Sequence, residues 1–176
     1  MSNQQRTLDD PDVEPFDRRV LEDIRDYGYH VVAVASADSV PAWAYTVGFG
    51  TTFNHPEIVA FGLDVRLMHS MLRNVATEIE NGRPFHDRTQ SSEIVSGYAC
   101  TFRHVHVNWF PTFLGYARWF YRGDDFECLQ CFWPDRHHRL PWDTEFERGR
   151  ILQPILYEPD LPSALTHQWI IAQTDA

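Results

Sequence analysis

The sequence contains no lysine, and all 15 of its basic residues are arginine. Lysine supplies the amine for Schiff-base chemistry, so that class of mechanism is excluded. The sequence also lacks a run of the roughly 20 apolar residues that a membrane helix needs. Its opening segment, MSNQQRTLDDPDVEP, has no apolar core of the kind found in secretory signals. We therefore expect a cytoplasmic protein that does not enter a membrane.

Positive charge is scarce, because 15 basic residues face 25 acidic ones and the formal net charge is -10. Binding to nucleic acid depends on basic side chains that meet phosphates. The overall charge therefore disfavours nucleic acid as a partner, although a local arginine patch would be an exception. A small molecule, a protein partner or a second copy of the chain are the partners that the composition leaves open.

Cysteine is also rare, with three residues: Cys100, Cys128 and Cys131. An odd number in a reducing compartment does not predict a disulfide framework. Cys128 and Cys131 form a C-x-x-C motif, but the surrounding FECLQCFW is typical of a strand. Residues three apart on a strand face opposite sides. We therefore predict core or surface cysteines in preference to a redox pair.

The length of 176 residues and the hydrophobic content of 43% predict one domain with its own core. We expect a frayed N-terminus over residues 1–12 and a single α+β domain over 13–176. Apolar stripes predict helices over 14–27 and 64–81. Other patterns predict strands over 29–37, 41–49, 57–63, 94–110 and 126–133, a short helix from Pro111, a polar connection over 83–93, and extended edge segments at RLPWD and ILQPILYEP. The fold class is α+β, with a largely antiparallel sheet or a small split-barrel-like core flanked by two main helices.

The segment YTVGFGTTFNHPEIVAFGL, residues 45–63, is the first candidate for a site. Gly48 and Gly50 permit backbone conformations or close approaches that a Cβ would block. His55, Pro56 and Glu57 lie where a loop enters a strand. Two interpretations are open: a hairpin-like corner with His55 held by backbone hydrogen bonds, or a ligand-binding loop. Neither the Walker spacing nor G-x-G-x-x-G before a helix is present.

The segment QCFWPDRHHRLPWD, residues 130–143, is the second candidate. Pro134 and Pro141 predict a rigid turn, in which Asp135 accepts backbone hydrogen bonds or forms the edge of a pocket. We predict a ligand pocket between residues 45–57 and residues 133–143. Its candidate lining residues are Tyr45, Thr46, Gly48, His55, Glu57, Trp133, Asp135, His137, Trp142 and Asp143. The sequence assigns no catalytic residue.

The segment HVHVN, residues 104–108, places His104, His106 and Asn108 on one face if it is a strand. Two such imidazoles can bind one zinc ion, which needs at least one further ligand. His86, Asp135, His137 and His138 are the candidates for that ligand, but no spacing brings them together. The alternative is a solvated sheet face opposite Val105 and Val107, so we assign no metal site.

The motifs YTVGF, HPEIVAFGL, QCFWPD and LPWD, in this order and spacing, resemble the bacterial family catalogued as domain of unknown function 4262. The resemblance spans approximately residues 18–157 and implies a coherent fold without naming an activity. The signature positions that it implies are Tyr45, Gly48, His55, Pro56, Glu57, Gln130, Pro134, Asp135, Pro141, Trp142 and Asp143. Family members usually have a glycine near position 138, where this chain has His138. This departure argues against the tight form of the turn. The H-x-H is not part of the family pattern.

A weaker likeness, at the level of fold, relates the strands around Y-T-V-G and H-P-E-I-V-x-F-G-L to flavin-reductase-type split barrels. It implies a flavin or another nucleotide as a candidate ligand, although fold alone does not assign function. The favoured hypothesis is therefore a small-molecule-binding domain, with enzymatic activity open. The alternatives are a protein-interaction module, such as an accessory or immunity protein, and a metal-dependent hydrolase that uses His104 and His106.

Overall fold

A six-stranded sheet forms the centre of the protein in a computed structural model, which describes residues 5–37, 40–146 and 149–160. Its strands are β1 (His30–Val34), β2 (Trp43–Val47), β3 (Glu57–Phe61), β4 (Gln90–Val95), β5 (Tyr98–His104) and β6 (Cys128–Phe132). Their order is β1-β2-β3-β6-β5-β4. Only the β3–β6 pair is parallel among these strands. The predicted α+β class with a largely antiparallel sheet is confirmed, and the described strands form an open sheet in which β1 and β4 are the edges.

The two central strands are buried along their whole length. Every residue of β3 (EIVAF) and of β6 (CLQCF) is buried. Runs of consecutive buried residues, apolar here except for Glu57 and Gln130, are typical of strands that are covered on both faces. Val59 and Phe61 belong to one core cluster, and Ile58 and Ala60 belong to the other. The sheet therefore separates two hydrophobic cores.

One face of the sheet is covered by α3, which spans Val65–Glu80. The helix begins after Asp64, whose side chain accepts a hydrogen bond from the Arg66 backbone N–H at 2.9 Å. Such a cap satisfies a donor that the first turn leaves without a partner. The buried apolar residues of the helix, at helical spacing, are Met68, Met71, Leu72, Val75 and Ala76. They pack in the same cluster as Ile58 and Leu129.

The opposite face is covered by α1, α4 and α5, which span Pro15–Tyr27, Phe110–Phe113 and Gly115–Tyr121. Val20 and Leu21 of α1 share a core with the aromatic residues of α4 and α5. The α1 helix ends at Gly28, which has a φ of +88° and donates its N–H to the Ile24 carbonyl at 2.9 Å. A left-handed glycine is the usual end of a helix. The two long helices, α1 and α3, are the two main helices predicted from the sequence.

Three short helices complete the described elements: α2 (Phe49–Phe53), a 3-10 helix (Val107–Trp109) and α6 (Gly149–Leu152). The α2 helix lies within the loop that joins β2 to β3, where the sequence predicts no helix. None of the helices in the described ranges combines the length and the apolar character that crossing a membrane requires.

The strand predicted over 94–110 is wrong in its extent. It contains the end of β4, a turn at Ser96 and Gly97, the whole of β5 and the 3-10 helix. The β4 and β5 strands pair as a hairpin in which Val95 is opposite Tyr98. Gly97 supplies the turn with a φ of +81°, which glycine adopts without a steric penalty. The start of β4 falls in the predicted polar connection 83–93, because an exposed edge strand has no apolar alternation to mark it.

The C-terminal segment after α6 follows β6 without joining the sheet. Gln130 donates from Nε2 to the Pro154 carbonyl at 2.7 Å, and its Oε1 accepts from the Leu156 N–H at 3.3 Å. Proline cannot donate to a strand ladder, so buried amide side chains replace the backbone bonds that a strand would make. The predicted extended segment at ILQPILYEP is therefore a helix followed by an irregular chain.

The N-terminal segment lies against α5 over its described part. The Arg6 N–H donates to the Phe120 carbonyl at 2.9 Å, and Asp10 pairs with Arg122 at 2.5 Å. Residues 1–4 of the segment predicted to be frayed lie outside the described residues. Residues 161–176 of the predicted domain also lie outside them.

Candidate functional site

Glu57 is a buried carboxyl at the first position of β3, with a residue exposure of 1%. Its Oε2 accepts a hydrogen bond from the Thr46 hydroxyl at 2.5 Å. Its Oε1 accepts from the Gly48 N–H at 2.8 Å and from the Tyr121 hydroxyl. A buried carboxyl without partners would be strongly destabilising, and these donors offset the loss of water.

The titration of Glu57 is shifted by its surroundings. Burial raises the pKa of Glu57, while the hydrogen bonds from Thr46 and Tyr121 act in the opposite direction. Burial and the nearby charge of Glu57 raise the pKa of the Tyr121 hydroxyl, which therefore stays protonated and able to donate. A carboxyl with a raised pKa beside a hydroxyl is a typical arrangement for proton transfer.

Two glycines bring the backbone close to this pair. Gly48 has a φ of +112°, which favours glycine, and it precedes α2. The Gly50 N–H donates to the Tyr121 hydroxyl at 3.1 Å. A Cβ at Gly50 would lie 2.8 Å from the Tyr121 hydroxyl oxygen, so a side chain there would displace the tyrosine.

A cavity of about 350 Å³ opens next to this network. Gly50 and Tyr121 form part of its wall, and Glu57 lies behind them. The lining residues are Gln5, Gly50, Asn54, His55, Pro56, Tyr121, Asp125, Phe126 and Glu127. The described wall therefore contains amides, carboxylates and a hydroxyl, and none of these residues is an arginine.

His55 is held by the backbone on both sides of its ring. The residue is 4% exposed, Nδ1 lies 2.7 Å from the Pro56 carbonyl, and Nε2 lies 2.9 Å from the Phe85 backbone nitrogen. A carbonyl only accepts and an N–H only donates, so Nδ1 carries the proton and Nε2 accepts. Burial lowers the pKa of His55, which is consistent with this neutral form. Of the two interpretations of this residue, the contacts match the corner held by backbone hydrogen bonds.

The segment 133–143 lies at the opposite end of the sheet from Glu57. β3 and β6 run parallel, with Glu57 beside Cys128, so residues after Phe132 leave from the end of β3 at Phe61. Trp133 confirms this placement, because its Nε1 donates to the Phe61 carbonyl at 2.7 Å. Four steps along a strand separate the two ends by about 13 Å.

The structure therefore does not form the single pocket predicted between residues 45–57 and 133–143. It brings Thr46, Gly48, His55 and Glu57 together at one end of the sheet. Tyr45 instead lies in the core beneath α5, where its hydroxyl accepts a hydrogen bond from the Tyr116 N–H at 3.0 Å. Burial raises the pKa of Tyr45 to about 12.

The 133–143 turn is organised by two carboxylates. Asp135 accepts from the backbone N–H groups of His137 and Arg139 at 2.8 and 3.0 Å and from the Arg139 guanidinium. The hydrogen bond from Arg139 holds the pKa of Asp135 at about 2. Asp143 accepts from the Leu140 N–H at 2.7 Å. Both carboxylates are engaged in forming the turn itself.

Two rings of the same turn pack onto the protein body. Trp142 contacts Phe132 edge to face, with 5.2 Å between ring centroids. His138 stacks on Tyr98 with 5.3 Å between centroids, and it adopts a φ of +62°. A histidine therefore occupies a left-handed position of this turn and is held there by a ring contact.

The H-x-H segment shows no converging ligand set. His104 ends β5, and His106 accepts a hydrogen bond from the Asn108 N–H at 3.3 Å through Nδ1. Within residues 5–37, 40–146 and 149–160, no three His, Cys, Asp or Glu residues are placed to hold a metal ion. The two cysteines of the C-x-x-C motif lie on opposite faces of the sheet, since Cys128 belongs to one core cluster and Cys131 to the other.

A family model described as Domain of unknown function (DUF4262) matches residues 23–147, which is more than half of the chain. The chain belongs to the DUF4262 family. The resemblance inferred from its motifs is therefore confirmed, whereas the likeness to flavin-reductase-type split barrels is not. No curated protein and no solved structure matches the chain. The matched region of this DUF4262 protein contains both Glu57 and Tyr121.

Sequence reasoning missed the second half of the site in this DUF4262 protein. Tyr121, Asp125, Phe126 and Glu127 line the cavity, but no sequence motif marks any of them as a site residue. Tyr121 lies 64 positions after Glu57, and no local pattern connects them. The one available signal is the acidic pair Asp124–Asp125, three residues after the end of an aromatic helix.

Proposed function

We propose that this DUF4262 protein binds a small polar molecule in the cavity beside Gly50 and Tyr121, and that Glu57 and Tyr121 take part in proton transfer to that molecule. The observation that carries the proposal is the hydrogen bond between the buried Glu57 carboxyl and a Tyr121 hydroxyl that lines the cavity. Buried titratable groups with shifted pKa values occur preferentially at functional sites.

The lining supports an uncharged or cationic ligand. Asp125 and Glu127 are carboxylates, and Gln5 and Asn54 supply amide groups. A flavin or nucleotide phosphate needs cationic or clustered backbone donors, and the described lining contains no arginine. Amines and polyols, which donate hydrogen bonds, suit this wall better than a phosphorylated flavin does.

The geometry supports a defined role for each partner. While Glu57 is ionised, Tyr121 donates its hydroxyl hydrogen to the carboxylate. When Glu57 takes up a proton, the carboxyl donates to the tyrosine oxygen, and the tyrosine hydrogen turns to the cavity. A proton can then pass from Tyr121 to a bound ligand as Glu57 returns its own proton to the phenol oxygen, so no charge remains on the tyrosine.

The test is a binding screen of small amines and polyols. Changes in the backbone amide resonances of the protein report the binding. We expect binders to shift Gly50 and Asn54, and Tyr121→Phe to weaken binding by roughly five- to tenfold, the equivalent of one hydrogen bond. Tyr27→Phe is the matched control, since Tyr27 is 71% exposed and lies outside this cavity. Binders that leave Gly50 and Asn54 unmoved, or that bind equally well to Tyr121→Phe, would refute the proposal.

A further inference from the structure

A second cavity, of about 490 Å³, lies between α1, β1 and α3. Its lining residues are Arg19, Asp23, Tyr27, Tyr29, His30, Val31, His69, Arg73, Ala76, Thr77 and Glu80. It shares no lining residue with the cavity beside Glu57. In a chain with a net charge of -10, this lining is a local exception, because it combines two arginines and two histidines with two carboxylates, Asp23 and Glu80.

The charged side chains that line this cavity differ in whether they already form ion pairs. Asp23 is occupied by two partners, because Arg19 Nε lies 3.0 Å from Oδ1 and His30 Nδ1 lies 2.7 Å from Oδ2. Arg73 lies beside the Tyr29 hydroxyl. No ion pair joins Arg73 to a carboxylate in the part of the chain that the structure describes. Its positive charge is therefore available to a ligand, with Glu80 as the remaining acidic group of the wall.

Two tyrosines give the same cavity an aromatic surface. Tyr29 is fixed in place, because its ring packs edge-on against Phe49 with 5.2 Å between centroids. Tyr27 is 71% exposed, which leaves a large ring facing solvent at the cavity mouth. Aromatic rings stack favourably on planar ligands, and arginine binds phosphate and carboxylate groups through paired hydrogen bonds.

We propose that this second cavity binds a small aromatic anion, with Arg73 as the partner of its phosphate or carboxylate group and Tyr27 as the partner of its ring. The site is independent of the function proposed for the Glu57 cavity, since the two have different walls and different charges. It also supplies the cation that a nucleotide-like ligand would lack beside Glu57.

The experiment measures binding to the full chain by calorimetry with six compounds. AMP and flavin mononucleotide carry a ring and a phosphate, and 4-hydroxybenzoate carries a ring and a carboxylate. Adenosine and riboflavin supply the ring alone, and inorganic phosphate supplies the anion alone. We expect at least one aromatic anion to bind with a Kd below about 1 mM, and adenosine, riboflavin and inorganic phosphate to bind at least roughly tenfold more weakly than it does. Comparison of the phosphate and carboxylate compounds identifies the anionic group.

Matched variants locate the binding. Arg73→Gln is expected to weaken binding by roughly tenfold, because it removes a charged hydrogen-bond donor from an exposed position. Arg66→Gln, on the same helix and also exposed, lies outside the cavity and should leave the Kd unchanged. The inference is overturned if none of the three aromatic anions binds, or if Arg66→Gln weakens binding as much as Arg73→Gln. Loss of this binding would leave the binding of amines and polyols at the Glu57 cavity unchanged.

Discussion

The hydroxyl of Tyr121, the last residue of α5, donates a hydrogen bond to the carboxyl of Glu57, the first residue of β3, across 64 positions of sequence. This contact joins the wall of a cavity to a group in the protein interior. The same tyrosine oxygen accepts from the Gly50 N–H, so the loop, the helix and the strand meet at one atom.

Replacement of Glu57 by glutamine is expected to change how stability depends on pH. The folded state raises the pKa of Glu57 above its ordinary value of 4.5, so the folded protein holds this proton more tightly than the unfolded chain does. Its contribution to stability is present below pH 4.5 and is lost as the pH rises through the folded pKa. The free energy of unfolding of Glu57→Gln should therefore increase relative to that of the wild type as the pH rises from 4 towards neutral. Urea unfolding of both proteins at several pH values measures this difference, and parallel curves would contradict it.

His55 offers a second pH test with a spectroscopic readout. Burial lowers its pKa below the ordinary 6.5, so its contribution to stability is present above pH 6.5 and is lost as the pH falls through the folded pKa. The contacts to Pro56 and Phe85 require a neutral ring with its proton on Nδ1. Long-range nitrogen–proton correlation spectra at pH 7 should show this tautomer. A proton on Nε2, or a charged ring at that pH, would show that the arrangement is wrong.

Gly62 is expected to be one of the least substitutable positions in the described chain. A Cβ at this residue would lie 2.4 Å from the Leu152 carbonyl oxygen, and its φ of +80° is left-handed. Gly82 is a matched control, because it has a φ of +76° and no heavy atom within 4 Å of a Cβ. Gly82→Ala should lose about 1 kcal/mol of stability from the backbone alone. Gly62→Ala should lose at least roughly 2 kcal/mol more, because a backbone carbonyl must also move.

Thermal or urea unfolding of the two alanine variants supplies the comparison. If Gly62→Ala and Gly82→Ala lost the same stability, the close packing of the β3 end against α6 would be refuted.

The left-handed position of His138 predicts a difference between two variants. His138→Gly and His138→Val both remove the stack on Tyr98, so this loss cancels between them. Glycine adopts a φ of +62° freely, whereas a β-branched residue is strained there. The glycine variant should therefore be more stable than the valine variant by about 1–2 kcal/mol. Equal unfolding midpoints for the two proteins would show that the turn rearranges.

The sequence predicted the buried elements well, because their patterns are local. The α3 helix shows apolar residues at helical spacing between Asp64 and Asn81, and the observed helix is Val65–Glu80. The β3 and β6 strands are short apolar runs, and both were found at their predicted places. The first part of the edge strand β4 was missed, because its residues QSSE carry no apolar alternation.

The candidate site was predicted only in part, because strand order is not a local property. Glu57 and Gly48 were chosen from one segment, and both take part in the buried network. The prediction of a single pocket also requires residues 133–143 to lie beside them. The parallel pairing of β3 with β6 sends that segment to the other end of the sheet. Tyr121 was missed, since only the packing of α5 on the sheet brings it to Glu57.

The parallel contact between β3 and β6 also has a consequence for folding. Glu57 pairs with Cys128, and the intervening chain includes the β4–β5 hairpin and α3. Hairpins close quickly because their strands are neighbours in sequence, whereas distant strands must first overcome the entropy of a long loop. We therefore expect the contact between β3 and β6 to form after the local pairing within the β1–β2–β3 meander and within the β4–β5 hairpin.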